Sequence, residues 1–174
     1  MNYLLPLLLI AGATSAFTVF THWQVGPDYA VKFDGRGAAG TFTGLRGTID
    51  FDPRDPAAGR IDVTVDVATI STGNATKDRH ARGEGWFDAE RYPTIRFRST
   101  AIGEGTESYT MIGELTLHGT TREVRFPFTF TPRDAGGVFE GSFTVKRKDY
   151  GIEGTFGQFA VSNEFAVQLR IPVE

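Results

Sequence analysis

The sequence predicts an all-β protein, an antiparallel up-and-down barrel of eight strands with one short helix around residues 75–83. Three observations carry that prediction. Much of the chain alternates apolar and polar residues with period two, the spacing that puts one face of a strand toward a core. Turn-forming clusters separate the alternating runs at short intervals, which favours antiparallel neighbours in a meander. The chain also holds 15 Phe among 174 residues, joined by Tyr and Trp, and aromatic side chains are enriched in strands and fill interiors well.

Taken in order, residues 1–16 stand apart from this pattern. An apolar run from Leu4 to Ala11 is followed by Thr14, Ser15 and Ala16, the layout of a secretory leader cleaved after Ala16. The run is shorter than the roughly 20 residues that a membrane-spanning helix needs, and Pro6 interrupts it. No basic residue precedes it, so an uncleaved N-terminal anchor stays open as the alternative. The expectation is an exported chain, periplasmic or secreted, with residues 17–174 forming one domain.

Within that domain the clearest strand is 60–70, where Ile61, Val63, Val65 and Val67 alternate with Asp62, Thr64, Asp66 and Ala68. A slip of one residue would turn two aspartates into an apolar interior, so the valines are expected to face inward. Val124, Phe126, Phe128 and Phe130 repeat the design, followed by Phe139, Phe143 and Val145, and then by Phe165, Val167, Leu169, Ile171 and Val173. Segments 29–36, 41–51, 94–100 and 108–117 are weaker, three of them broken by glycine, and they complete the eight. Gly40, Gly44 and Gly47 punctuate the second strand, where a barrel wall must bend or bulge. The helix is signalled by Lys77, Asp78, Arg79, His80, Ala81 and Arg82, with a cap near Asn74 or Thr76 and a stop at Gly83 and Gly85. Trp86 and Phe87 read as the anchor that docks it on the barrel. Eight strands close around an interior that is either filled by side chains or just wide enough for one small ligand, and periodicity does not decide between them.

Composition excludes several classes. Without cysteine there is no disulfide, thiolate metal site or lipid-modified cysteine anchor. A net charge of -3 with scattered basic residues lacks the footprint of a nucleic-acid binder. His22, His80 and His118 show no metal-ligand spacing, and no serine lies in a nucleophile elbow, so neither a metal nor catalytic residues are expected. Lys77, Arg79, Arg82 and Arg91 could meet an anionic head group, but the acids around them favour a solvated helix face. The segment 149–159 holds Tyr150, Ile152, Phe156 and Phe159 among glycines and reads equally as a mobile apolar lip or as a plug.

Five segments carry a resemblance to a known family: residues 40–56 (GTFTGLRGTIDFDPRDP), 61–74 (IDVTVDVATISTGN), 86–97 (WFDAERYPTIRF), 113–124 (GELTLHGTTREV) and 146–152 (KRKDYGI). In that order they resemble the YceI-like family of exported lipocalin-like proteins. The resemblance implies a barrel whose lumen takes an isoprenoid lipid, polyprenyl or quinone-like, as carrier or store, with no other cofactor and no catalytic role. Transient contact with a membrane surface is compatible with it. The expected lining is Phe97, Phe126, Phe128, Phe143, Phe156 and Phe159, with Tyr150 and Trp86. Two alternatives stay open: an enzyme acting on a hydrophobic small molecule, and a filled barrel serving as a stress or adaptor protein.

Overall fold

A computed structural model describes residues 22–134, 136–154 and 161–174. Among these residues one antiparallel sheet of ten strands curls into a half-barrel. The strands are β1 (His22–Trp23), β2 (Ala30–Gly35), β3 (Ala38–Phe42), β4 (Arg46–Asp50), β5 (Arg60–Asp66), β6 (Thr94–Glu104), β7 (Tyr109–Leu117), β8 (Thr120–Arg133), β9 (Gly136–Lys146) and β10 (Glu164–Val173). The single α-helix, α1, is Ala75–Arg82. The strand order is β1-β4-β5-β6-β7-β8-β9-β10-β2-β3.

The strand count corrects the expected eight, for two local reasons. The expected second strand breaks at Thr43-Gly44-Leu45 into β3 and β4, because Gly44 (φ +71) takes a backbone angle that side chains resist. β3 then pairs with β2 and β4 pairs with β5. The other addition, β1, is too short to show periodicity. Strand 60–70 ends at Asp66 rather than Ile70; the Asp66 side chain accepts from Ala68 N at 3.0 Å and starts a turn of 3-10 helix, Val67–Thr69.

The two ends of the sheet do not form a continuous ladder. Instead the seam is bridged in two pieces. At one end the segment after β1 spans from β4 to β10, through Gln24 N to Glu174 O and Gly26 N to Pro172 O, both 2.8 Å. At the other, the β2–β3 hairpin lies on β10, and Thr41 exchanges two 2.9 Å backbone bonds with Ser71. These bonds satisfy backbone groups that an open edge would leave bare.

Inward residues follow the alternation. Ile61 and Val65 are buried and Val63 half-buried, while Asp62 points outward and takes a bidentate bond from Arg96, Nε to Oδ1 at 2.8 Å and Nη2 to Oδ2 at 2.5 Å. That guanidinium holds the Asp62 carboxyl below the ordinary carboxylate range. The β7–β8 turn, His118-Gly119, has positive φ at both residues, as a two-residue hairpin of type I′ requires.

The core is solid at the end where β1 lies. Phe51 is fully excluded from solvent, and its ring meets Tyr109, Phe128, Phe130 and Phe139 at centroid distances of 5.2 to 5.8 Å, all edge-on. Trp23 meets Phe130 of the same group at a tilt, with ring centroids 5.9 Å apart, and donates Nε1–H to the Phe51 carbonyl at 2.9 Å. Phe51→Ala should therefore cost about 3–5 kcal/mol of unfolding free energy, measured in urea; a loss below about 1 kcal/mol would show that the cluster does not carry the core.

Candidate lipid-binding cavity

Away from the Phe51 cluster the same inward faces do not meet. They enclose a cavity of about 450 Å³ that reaches to α1 and the segment after it. Val63, Ile95, Phe97 and Phe143 all point into this space and are only partly buried, because the side chains across from them stop short. The hollow thus lies in the half of the barrel opposite the packed aromatic end, within the size range of small-molecule pockets.

One wall is aromatic. Phe126 stacks on Phe143 at 4.8 Å with 22° between planes, and it meets Phe97 at 5.8 Å. Phe97 and Phe126 reach each other across β7 because Gly113 lies between them: a Cβ there would come within 2.5 Å of the Phe97 ring. Of the expected lining residues, Phe97, Phe126, Phe128, Phe143 and Trp86 border the cavity together. Tyr150 does not. The 3-10 turn Arg147–Tyr150 and Gly151 (φ +73) carry its ring into a packed cluster with Leu115, Leu117, Val145 and Ile152. There Tyr150 is buried, which pushes its hydroxyl pKa up, and its carbonyl accepts from His118 Nδ1 at 3.1 Å. Phe156 and Phe159 lie outside the described residues.

The helix forms the lid end. Asn74 Oδ1 accepts from Thr76 N and Lys77 N, both at 3.0 Å, and caps α1; Gly83 ends it. No α1 residue is buried, so packing alone does not hold the helix. Asp78 does: its Oδ1 accepts from Thr72 N at 2.7 Å and Thr72 Oγ1 at 2.6 Å, tying the helix to the chain that leaves the 3-10 turn after β5. Those two bonds hold the Asp78 carboxyl below its ordinary range, the hydroxyl contributing most. After Gly83 the chain folds back, with Phe87 N bonded to Ala81 O at 3.0 Å, so that Phe87 meets Phe42 edge-on at 5.7 Å and Trp86 turns toward the cavity.

Sequence reasoning missed Arg147. It borders the cavity, is 9 % exposed, and carries the Trp86 ring 5.1 Å from its guanidinium carbon. The signal was present: Arg147 continues the inward phase of Phe143 and Val145. Of the α1 cations, Lys77 and Arg79 are exposed and Arg82 half-buried; Lys77 also borders the cavity, and Arg82 donates to the Ala68 carbonyl at 3.2 Å. His80 and Glu84 do not share a helical face, because α1 ends at Arg82. Among the described residues no helix is long and apolar enough to cross a membrane, and no cluster of His, Asp and Glu has metal-holding geometry.

A family model described as the YceI-like domain matches residues 17–173. The chain belongs to the YceI-like family. Its relatives include a UPF0312 protein of Photorhabdus laumondii, 33% identical over 124 residues, and a UPF0312 protein of Yersinia pestis, 31% identical over the same length. Each alignment covers 68% of this chain and 65% of the relative, so the YceI-like chain matches just under two thirds of these curated proteins. Among solved structures it is similar to Burkholderia cenocepacia BcnA, with a TM-score of 0.79 and 26% identity over 87% of this chain and 99% of that one. A polyisoprenoid binding domain from Saccharophagus degradans, implicated in plant cell wall breakdown, shares the fold at a TM-score of 0.65 and 12% identity, over 90% of this chain and 99% of that one.

The Asp78 tether gives a pH dependence with a definite sign. A carboxyl whose pKa is lowered on folding stabilises the fold above its ordinary value of about 3.9 and loses that contribution as pH falls through the lower folded value. Hydrogen exchange should show the Thr72 amide protected at pH 7 and losing protection only below about pH 4. Asp78→Ala should remove that protection at pH 7; unchanged protection would show that the tether does not hold the helix.

Proposed function

We propose that this YceI-like chain binds an apolar isoprenoid lipid, polyprenyl or quinone-like, in its lumen, as a soluble carrier or store outside the cytoplasm. The observation that carries the proposal is the hollow itself: about 450 Å³ walled by the inward faces of the sheet and closed below by the Phe51 cluster. A filled barrel acting only through its outer surface would not need it. Family membership supports an apolar lipid as the occupant, and the polyisoprenoid binding domain of Saccharophagus degradans, which shares the fold, supports an isoprenoid among such lipids. The leader-like residues 1–16 support export, and contact with a membrane surface during loading fits that role.

The energetics suffice. Burying about 400 Å² of tail contributes about 10 kcal/mol, against several kcal/mol for the freedom lost on association. A binding role is also favoured over turnover, since catalysis by acid and base needs two groups with separated pKa values in one pocket. Arg147 is the one buried ionisable side chain that borders the cavity among the described residues.

Organic extraction of protein purified after export, followed by mass spectrometry, should recover an isoprenoid lipid in near-stoichiometric amount. Val63→Trp, which adds a ring where the valine faces the void, should retain the native far-UV spectrum and lower the recovered lipid at least about tenfold. Equal recovery from both proteins would place the lipid outside the lumen and overturn the proposal.

A further inference from the structure

The lumen ends, on the side of the Phe51 cluster, at Ile49, Ile61, Met111, Phe128, Phe139 and Ile171, which are buried and border the cavity. On each of their strands the next inward residue toward the packed end, such as Phe51, Tyr109 or Phe130, does not border it. These six side chains are the floor, and they differ in what they can do. Phe128 and Phe139 are held against the Phe51 ring, at 5.8 and 5.3 Å. The three isoleucines are branched at Cβ, which confines χ1. Met111 alone among the six is unbranched, and its flexible thioether chain adapts to irregular gaps.

Its place on β7 is where the solid core gives way to the void. The inward row of that strand runs Tyr109, Met111, Gly113: the Tyr109 ring is stacked on Phe128 at 5.2 Å, and Gly113 has no side chain to fill the lumen. Met111, paired with Ile102 on one side and Phe126 on the other, thus has packed aromatics beneath it and open space above. We infer that Met111 is the tail-length stop of the lumen, the side chain that meets the last carbons of an apolar chain and sets how many isoprene units fit above the Phe51 cluster. The inference rests on the proposed lumenal binding and adds to it selectivity for tail length. Met111→Ala removes the side chain beyond Cβ and leaves space continuous with the cavity, which a longer tail can fill. Met111→Phe replaces the pliant stop by a rigid one.

The test is a ladder of uncharged isoprenoid alcohols, geraniol, farnesol, geranylgeraniol and longer members until affinity stops rising, titrated into delipidated full-length protein. Tryptophan fluorescence follows binding, since Trp86 borders the cavity. Met111→Ala should move the length at which affinity stops rising to the next member of the series, which it binds roughly tenfold more tightly than the wild type does, while geraniol changes by less than about threefold. Met111→Phe should move that length the other way. The same length in all three proteins overturns the stop and leaves lumenal binding intact; binding of no alcohol overturns the lumenal reading itself. Should the variants fail to fold, the wild type decides by NMR, because Met1 and Met111 are the chain's two methionines and methyl-labelled methionine reports on the floor directly. The Met111 methyl signal should shift when the longest alcohol that still gains affinity is bound, and an unmoved signal contradicts the stop.

Discussion

Phe51 decides how much of the barrel is solid. Its ring fills the space between β4, β7, β8 and β9 at one end, and with it in place Phe128, Phe130, Phe139 and Tyr109 pack edge-on around a single centre. Among the described residues no side chain does the same at the α1 end. The inward positions there are valines, isoleucines and phenylalanines that reach part-way and leave a gap. A close-packed interior tolerates few voids, so a hollow of this size needs a scaffold that stands without it. The packed end supplies that scaffold, and the aromatic wall above it can remain open.

The seam follows the same division of labour. A barrel without disulfides must close by backbone hydrogen bonds, and this one closes in two pieces because its second strand is split at Gly44. The N-terminal segment locks the packed end through Gln24 and Gly26, where the core is rigid. Among the described residues the hollow end is closed by the short β2–β3 hairpin, by Thr41 and Ser71, and by a helix held through Asp78 rather than by burial. Elements with few buried apolar contacts open at low free-energy cost. The weaker closure therefore lies at the end where a ligand would enter.

Much of this was legible in the sequence. The alternating runs 61–67, 124–130 and 139–145 were recognisable with the correct face inward, although the first strand ends at Asp66, and the helix was placed to within a residue, with Asn74 rather than Thr76 as its cap. Each departure has a local cause. The split of the second strand depends on positive φ at Gly44, whereas Gly47, also at positive φ, stays within β4, and glycine count alone does not distinguish the two. Tyr150 was expected at the lining by its place in an apolar, glycine-rich loop, but a 3-10 turn reverses its phase. Arg147 was passed over because a charged residue at an inward position reads as the end of a strand; its burial against Trp86 is a tertiary fact. Whether the lumen was hollow depended on side-chain reach across the sheet, which periodicity does not encode.

The central claim is that one end of the barrel is packed and the other is an apolar void. A crystal of the delipidated protein pressurised with xenon tests it most directly, since apolar cavities bind xenon. The account predicts anomalous density beside Phe97, Phe126 and Phe143, and none within the Phe51 cluster. Density confined to the outer surface, or lodged around Phe51, would contradict it.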